Sequence, residues 1–201
     1  MFWKYIVIAA ASYLLGSLNF GVIVSQIALN QDLRTLGSGN AGTTNALRVM
    51  GPKLASLVFV GDILKGFAAA FIGRWMGQEG ELVAFFFVIL GHVYPLYFGF
   101  RGGKGILTMA AVLLVFDWRI CLISAFIFAI IVSLSRLVSL GSITAALLVP
   151  INMYIFHPDP WWFTLVAVIL SLGVVWLHRK NIRRLIDGTE SRSSFKKKPK
   201  E

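Results

Sequence analysis

The chain has 201 residues, of which 57% are hydrophobic and only 14% are charged. A soluble globular domain has about 45–50% apolar and about 25% charged residues, so this composition indicates a surface that faces lipid rather than water. The net charge of +10 would suggest nucleic-acid binding in a soluble protein, but nine of the nineteen basic residues lie in one tail at 179–200. That distribution is typical of membrane orientation, so we expect membrane lipids and no nucleic acid as partners.

Apolar runs along the chain predict about seven transmembrane helices. Six runs approach the ~20 residues that cross a bilayer. The seventh, residues 106–116, would rise only ~17 Å as a helix and must extend into flanking residues such as Gly105, Asp117 and Trp118 to cross. The six longer runs are residues 3–29, 54–75, 82–98, 121–134, 137–156 and 161–177.

The basic residues give the predicted helices an orientation. If all seven runs cross the bilayer, the gaps at 30–53, 99–105 and 135–136 fall on the same face as the C-terminal tail. Fifteen of the nineteen basic residues then lie on that face, which the positive-inside rule makes cytoplasmic, with the N-terminus outside. With six crossings the tail would face outward, against the rule. We therefore predict a single all-α membrane-embedded domain over residues 1–201, with residues 191–201 as a basic, flexible cytoplasmic tail.

The first polar island, residues 37–48, has the composition of an anion-binding loop. Its three glycines permit backbone conformations that point successive N–H groups at an anion, and hydroxyls, amides and one arginine accompany them. Residues 37–42 also match the dinucleotide fingerprint G-x-G-x-x-G, but that motif requires a preceding strand and a surrounding βαβ unit, whereas an apolar run precedes this one. A merely flexible loop is the alternative. The predicted ligand-binding residues are Gly37, Ser38, Gly39, Asn40, Thr43, Asn45 and Arg48.

Two charged residues, Asp62 and Lys65, lie within the second apolar run and share one helix face. Ionisable residues inside a membrane span are costly and are commonly functional, but an internal ion pair that braces the helices is an equally good interpretation. Serines in the spans, such as Ser17, Ser139 and Ser142, more often hydrogen-bond helices together. Of these, Ser142 is kept as a candidate substrate contact.

The second polar island, residues 91–95 and 100–105, places two cations and three glycines directly before an apolar run. The run predicts a helix that begins here, and the free N–H groups and the dipole of a helix N-terminus both favour negative charge. The segment is not a Walker A loop, because Phe98 and Gly105 occupy positions where that motif needs glycine and serine or threonine. The predicted phosphate contacts are Arg101, Gly102, Gly103 and Lys104.

The third polar island, residues 178–190, follows the last apolar run. Basic residues after a final span normally anchor it at an anionic leaflet, and we assign that role to residues 196–200. His178 and Asn181 differ, because they are three positions apart and a continuing helix would turn both side chains toward one point. We therefore predict that both contribute to a site.

At these three islands the sequence resembles the PlsY family of bacterial membrane acyltransferases. The matching segments are the glycine-rich residues 37–48, the G-H-x-x-P and G-G-K-G patterns of residues 91–105, and the H-R-x-N-I-x-R-L-x-x-G-T-E pattern of residues 178–190. The three motifs occur in the same order and cover nearly the whole chain. The family often has Pro or Ile at Ala41 and Pro at Asn19, and neither departure removes a charged or hydrogen-bonding group from the proposed site.

The resemblance implies transfer of an acyl group from acyl phosphate to the 1-hydroxyl of glycerol 3-phosphate, which gives 1-acylglycerol 3-phosphate (lysophosphatidate) for bacterial phospholipid synthesis. It implies no metal or organic cofactor, and contact with the soluble enzyme that makes acyl phosphate. It also implies a place in the bacterial cytoplasmic (inner) membrane, with the active site on the cytoplasmic side. The residues we expect to be catalytic are Ser38, Arg48, Lys104, His178 and Asn181.

The sequence favours direct transfer without a covalent acyl-enzyme. It has no histidine with an aspartate five residues later and no G-x-S-x-G elbow, and its single cysteine, Cys121, lies outside the islands. Acyl phosphate is a mixed anhydride with a good leaving group, so attack by the glycerol hydroxyl chiefly needs positioning and charge neutralisation. The proton acceptor stays open between His92, His178 and the acceptor's own phosphate, and we favour the phosphate.

Other functions fit the sequence less well. A transporter for phosphate esters predicts polar residues through the bilayer midplane on several helices, whereas polarity here is concentrated near one face, apart from Asp62 and Lys65. A CDP-alcohol phosphotransferase would need clustered aspartates for metal ions, and only Asp62 lies near the centre of a span. A non-catalytic scaffold would not need three anion-binding segments on one face.

Overall fold

The structure is a computed structural model that describes residues 2–193. Met1 and residues 194–201 lie outside the described residues, and so do the predicted anchor at 196–200 and most of the predicted tail. All regular elements among the described residues are helical, which confirms the predicted all-α class. The nine α-helices of this part of the chain are α1 (Phe2–Gly16), α2 (Phe20–Leu29), α3 (Thr43–Arg74), α4 (Gly77–Val93), α5 (Ile106–Phe116), α6 (Trp118–Ser135), α7 (Val138–Phe156), α8 (Trp162–Leu177) and α9 (Arg179–Ile186), with 3-10 turns at Leu33–Thr35 and Leu96–Phe98.

The helices form two compact units, one that ends at Trp118 and one that begins at Arg119. In the first unit α1 packs against α4, and α3 packs against α4 and α5. Glycine permits the close approach of α1 and α4, since a Cβ at Gly16 would collide with the backbone of Val88. In the second unit α7 packs against α8. A single domain over the whole chain stays a prediction.

The first predicted span, residues 3–29, consists of two helices rather than one. Asn19 accepts a hydrogen bond from the amide of Val22 (3.2 Å) and thereby caps the start of α2. Ser17 lies at the break, where its Oγ donates a hydrogen bond to the carbonyl oxygen of Tyr13 (2.8 Å) and accepts one from the amide of Leu96 (3.1 Å). The two pieces together still have the length and apolar character of a membrane crossing.

Helix α3 begins at Thr43 rather than near residue 54. Gly51, with φ 77° and ψ 178°, bends the helix, and Pro52 opens the part that continues. The two residues mark a boundary in the sequence, but residues 43–50 on the other side of it are also helical. The second half of the first polar island is therefore a short helix and not a loop, which corrects the prediction, and Arg48 lies on it.

Five segments among the described residues are long and apolar enough to cross a membrane, and the bent pair of α8 and α9 makes a sixth if it counts as one span. These segments make the protein a multi-pass α-helical membrane protein. Helix α5 has only 11 residues and ends at Phe116, where Asp117 is extended (φ −153°, ψ 105°). The predicted extension of this helix into its flanking residues is therefore not seen. The count of seven crossings and their orientation stay predictions.

The predicted orientation can be tested by labelling single cysteines in a Cys121→Ala background. A cysteine at Glu79 should react with a membrane-impermeant maleimide in intact cells, whereas one at Arg183 should react only after the membrane is opened. Both positions are accessible in the structure, since Glu79 is exposed and the Arg183 side chain is 88% exposed. Labelling at Arg183 but not at Glu79 in intact cells would overturn the seven-crossing orientation.

Candidate active site

The buried side chain of Asn45 makes hydrogen bonds to backbone groups of the first polar island and of the turn before it. Its Oδ1 accepts a hydrogen bond from the amide of Ser38 (2.8 Å). Its Nδ2 donates to the carbonyl oxygens of Leu36 (2.9 Å), Asn40 (2.9 Å) and Leu33 (3.2 Å). Because Asn45 is only 2% exposed, its amide is committed to the loop. Asn45 therefore fixes the loop from within, which differs from the direct substrate contact predicted for it.

The first polar island leaves the side chains of Ser38 and Arg48 exposed. Gly37 (φ 58°) and Gly39 (φ 73°) have the left-handed backbone that the sequence predicts. Gly42 has φ −90° and precedes the first turn of α3. The glycines thus shape the turn around Ser38, and the helical part of the island carries Arg48.

Asn40 and Thr43 lie where the loop enters α3. The Oδ1 of Asn40 accepts a hydrogen bond from the amide of Gly42 (3.1 Å), a local turn that leads into the helix. Thr43 is the first residue of α3, and no side chain caps the helix at Gly42. The positive end of the helix dipole therefore lies within the first polar island, where it favours a bound anion.

The second polar island folds back onto the end of α4. The amides of Gly102 and Gly103 donate to the carbonyl oxygens of Val93 (3.0 Å) and His92 (3.2 Å). A Cβ at Gly102 would collide with the His92 carbonyl oxygen, and one at Gly103 with His92 Nε2, so this approach requires glycine. Gly105 has φ 74° and immediately precedes α5. Glycines therefore surround the start of a helix, as predicted, and the neighbouring cations are exposed or partly buried: Arg101 and Lys104.

Asp32 and Arg34, which have no role in the sequence prediction, connect the two polar islands. Arg34 Nε lies 3.0 Å from each oxygen of Asp32, and its Nη1 donates to the carbonyl oxygens of Phe98 (2.6 Å) and Arg101 (2.7 Å). The hydrogen bonds from Arg34 lower the pKa of Asp32 below its ordinary value. The only sequence signal is an Asp-Leu-Arg triplet before the glycines, since contacts with a distant segment leave no local pattern.

Asp62 and Lys65 form a buried ion pair with 2.8 Å between Nζ and Oδ1, and each residue is 3% exposed. Lys65 Nζ also donates to the carbonyl oxygens of Gly16 (3.2 Å) and Leu18 (2.8 Å), which lie where the chain breaks between α1 and α2. His92 Nδ1 is 3.6 Å from the Asp62 carboxylate, and His92 is also 3% exposed. Of the two interpretations left open by the sequence, the structure favours an ion pair that braces the helices.

His178 lies at a bend and not within a continuous helix. The chain bends by 57° between α8 and α9. The prediction that one continuous helix turns His178 and Asn181 toward one point is therefore wrong. The Nδ1 of His178 is 2.8 Å from the carbonyl oxygen of Val174, and the residue is 2% exposed. A ring nitrogen that faces a carbonyl oxygen carries the hydrogen, so in the neutral ring the acceptor lone pair is on Nε2.

The carboxylate of Glu190 accepts hydrogen bonds from three polar side chains in the second unit. Its Oε1 accepts hydrogen bonds from Asn181 Nδ2 (2.6 Å) and Ser139 Oγ (2.7 Å), and its Oε2 accepts one from Arg184 Nε (2.6 Å). Burial raises the pKa of Glu190, but these hydrogen bonds outweigh it and hold the pKa below its ordinary value. Ser142 instead donates to a carbonyl oxygen of its own helix (2.9 Å), and the substrate contact predicted for it stays a prediction.

Besides the buried group of Asp62, Lys65 and His92, the described residues combine apolar helices with two sets of polar side chains. The first set comprises the two islands that Arg34 joins, and the second comprises the side chains around Glu190. The part of the chain that the structure describes has no group of three or more His, Cys, Asp or Glu side chains that could hold a metal ion. Glycine turns, helix N-termini and cations are groups that bind phosphate. Fold and site thus define an α-helical integral membrane protein with segments that carry the kinds of group that bind phosphate.

Comparison with known proteins identifies the family. The family described as Glycerol-3-phosphate acyltransferase matches residues 6–188. The chain is 41% identical over 185 residues to a glycerol-3-phosphate acyltransferase of Syntrophomonas wolfei subsp. wolfei, which covers 92% of this chain and 94% of that protein. It is 41% identical over 192 residues to a glycerol-3-phosphate acyltransferase of Prochlorococcus marinus, with 93% and 96% covered. This chain belongs to the glycerol-3-phosphate acyltransferase family.

Solved structures agree with this assignment. The chain is similar, with a TM-score of 0.87 and 35% identity, to a crystal structure of PlsY (YgiH), an integral membrane glycerol 3-phosphate acyltransferase, in the glycerol 3-phosphate form. That comparison covers 94% of this chain and 96% of the other. The lysophosphatidic acid form of PlsY gives a TM-score of 0.82 and 34% identity, with 94% and 95% covered. The resemblance to the PlsY family is thereby confirmed.

Proposed function

We propose that this protein transfers an acyl group from acyl phosphate to the 1-hydroxyl of glycerol 3-phosphate, which yields 1-acylglycerol 3-phosphate. Family membership supports the acyl acceptor, and crystal structures of a relative are described in a glycerol 3-phosphate form and a lysophosphatidic acid form. The observation that carries the proposal is the bridge by which Arg34 joins two anion-binding segments within one unit. Two joined segments suit this reaction because each substrate brings a phosphate.

In this proposal the two islands of the first unit bind the phosphates. Ser38 and Arg48 belong to the first island, and Arg101 and Lys104 belong to the second. Cations and N–H groups stabilise the negative charge that develops on the carbonyl oxygen and on the departing phosphate. The predicted contributions of His178 and Asn181 come from the second unit.

The proposed site lies on the cytoplasmic side of a bacterial inner membrane, because the two gaps that contain these islands, residues 30–53 and 99–105, carry five of the seven basic residues between the apolar runs. Membrane lipids surround the helices, and the acyl chain of the donor belongs in that apolar environment. The soluble enzyme that makes acyl phosphate is a further proposed partner.

The transfer proceeds in one step without an acyl-enzyme. The glycerol hydroxyl oxygen attacks the carbonyl carbon of acyl phosphate and forms the ester bond. The bond from that carbon to the bridging phosphate oxygen breaks, and inorganic phosphate leaves with the electron pair. The hydroxyl proton passes to the acceptor's own phosphate, which is tethered close to the reacting hydroxyl. The protein then contributes chiefly positioning and charge neutralisation.

The sizes of the histidine effects test this proton transfer. His92 is enclosed beneath the second island, and we expect His92→Ala and His178→Ala to retain measurable kcat at saturating substrate. Much of any loss should appear in KM through poorer positioning. A folded variant that loses ~10³-fold or more in kcat, the range of a true general base, and regains rate with added imidazole would show that the histidine accepts the proton.

The proposed donor is tested by giving the purified protein alternative donors with the same acyl chain. Lysophosphatidate should form from acyl phosphate and glycerol 3-phosphate, but not from the corresponding coenzyme A thioester. The reason is that only acyl phosphate has a phosphate directly on the reacting carbonyl, where the islands would hold it. Equal turnover with the thioester would contradict the donor assignment and leave the acceptor assignment intact.

A further inference from the structure

Arg34 uses most of its hydrogen-bonding groups to join two distant segments of the chain. Its guanidinium binds the carboxylate of Asp32 on one side and two backbone carbonyl oxygens, of Phe98 and Arg101, on the other. Asp32 also accepts a hydrogen bond from the amide of Arg34 (2.9 Å) and caps the 3-10 turn at Leu33–Thr35. The side chains of Arg34 and Asp32 are 22% and 26% exposed, so the bridge is largely shielded from water.

The carbonyl oxygens that Arg34 binds flank a tight turn. Gly99 and Phe100 have left-handed backbone, with φ 63° and 56°, and a positive φ is uncommon for a residue with a side chain. The turn brings the carbonyl oxygens of Phe98 and Arg101 within reach of one nitrogen atom. Two such dipoles repel each other without a donor between them, so Arg34 stabilises the turn from which the glycines of the second island continue.

On its other side the bridge is continuous with the first polar island. Leu33 and Leu36 lie at the turn that Asp32 caps, and their carbonyl oxygens accept hydrogen bonds from Asn45 Nδ2 (3.2 and 2.9 Å). Asn45 also holds the amide of Ser38. A continuous path of hydrogen bonds and short backbone segments therefore runs from the first island to the second.

We propose that Arg34 is a positioning residue that fixes the second polar island relative to the first, so that both islands act on the same substrates. The inference rests on the proposed function for what the islands bind. Lysine is no substitute at this position, because only a planar guanidinium offers two parallel donors to a carboxylate and further donors to carbonyl oxygens. A positive charge at residue 34 is thus insufficient to hold the two islands together without the planar arrangement of guanidinium donors.

Backbone hydrogen exchange gives a test that needs no substrate, in which Arg34→Lys is compared with Arg74→Lys. Arg74 makes the same kind of bridge elsewhere in the first unit, from Nε to the Glu81 carboxylate (2.7 Å) and from Nη2 to the Val115 carbonyl oxygen (3.0 Å). Exchange of the amides at 99–105 should become faster in Arg34→Lys and stay unchanged in Arg74→Lys. A general loss of stability would instead raise exchange at 99–105 in both variants.

Kinetics give a second readout. Arg34→Lys should lower kcat/KM for glycerol 3-phosphate roughly 10-fold or more, because small misplacements of binding groups slow transfer strongly. In a Lys104→Ala background the same change should cost no more than ~2-fold, since a positioning residue acts through the residue it positions. Arg74→Lys should stay within ~2-fold of the wild type. Equal losses from Arg34→Lys in both backgrounds, with unchanged exchange at 99–105, would mean that Arg34 binds substrate directly and would overturn the inference.

Two further outcomes separate this inference from the proposed function. If the wild type does not use acyl phosphate, the proposed function fails, and the exchange measurement still decides the role of Arg34. If the wild type is active and Arg34→Lys changes neither rate nor exchange, the inference alone fails. Should Arg34→Lys not fold, Asp32→Asn provides the same comparison, because it weakens the charge-assisted contact that orients the guanidinium.

Discussion

Replacing Lys104 or Arg48 by alanine is expected to lower kcat/KM roughly 10-fold to more than 100-fold, a loss of about 1.5–3 kcal/mol in transition-state stabilisation. Lys104 is partly buried beside the N-terminus of α5, and Arg48 is exposed on the helical part of the first island. Each substitution removes a positive charge from a segment that we propose to hold a phosphate. Steady-state kinetics with both substrates varied measure the loss.

Lys53→Ala is the matched control for these two variants. Lys53 is an exposed lysine on the same helix as Arg48, beyond the bend at Gly51, and it belongs to neither island. Its kcat/KM should be close to that of the wild type, because an isolated surface charge contributes little. Equal losses at all three positions would show that general surface electrostatics, and not a site, explains the effect.

Replacing Asn45 by alanine is expected to lower both stability and activity. The change removes the side-chain partner of the Ser38 amide and of the Asn40 carbonyl oxygen, whereas the carbonyl oxygens of Leu33 and Leu36 keep backbone amide donors. A buried polar group that is left unpaired costs about 1–3 kcal/mol. We therefore expect a loss of about 3 kcal/mol or more in the free energy of unfolding, and a drop of roughly 100-fold in kcat/KM because Ser38 loses its support. Denaturant unfolding in detergent and kinetics on the folded fraction measure the two effects.

Asn152 offers a matched buried asparagine. It is 7% exposed, and its Nδ2 has no hydrogen-bond partner among the described residues. Asn152→Ala should consequently destabilise the protein less than Asn45→Ala, although both remove the same atoms. Similar losses of stability in the two variants would indicate that lost packing volume, rather than the hydrogen bonds of the loop, explains the result.

Features set by local chemistry are the ones that the sequence predicts well. The left-handed backbone at Gly37 and Gly39 follows from glycine's freedom to adopt positive φ. The start of α5 at Ile106 follows from the change from glycines and cations to an apolar run. In both cases the signal and the structure lie within a few residues of each other, so one segment is sufficient to read them.

Features that depend on distant partners are the ones that the sequence does not reveal. Arg34 has its role because the turn at residues 98–101 packs beside it, and no spacing in the sequence records that contact. The bend at His178 likewise redirects the chain between two apolar or amphipathic segments that read as continuous helix. Asn181 then binds Glu190, nine positions later, through a hydrogen bond that helical periodicity does not predict.

Direct transfer is tested by the stoichiometry of the reaction of purified protein with acyl phosphate. With glycerol 3-phosphate present, we predict that inorganic phosphate and lysophosphatidate appear in equal amounts. Without glycerol 3-phosphate, we predict neither phosphate release nor an increase in the mass of the intact protein. Release of phosphate together with a protein heavier by one acyl group, before any acceptor is added, would contradict direct transfer and require an acyl-enzyme.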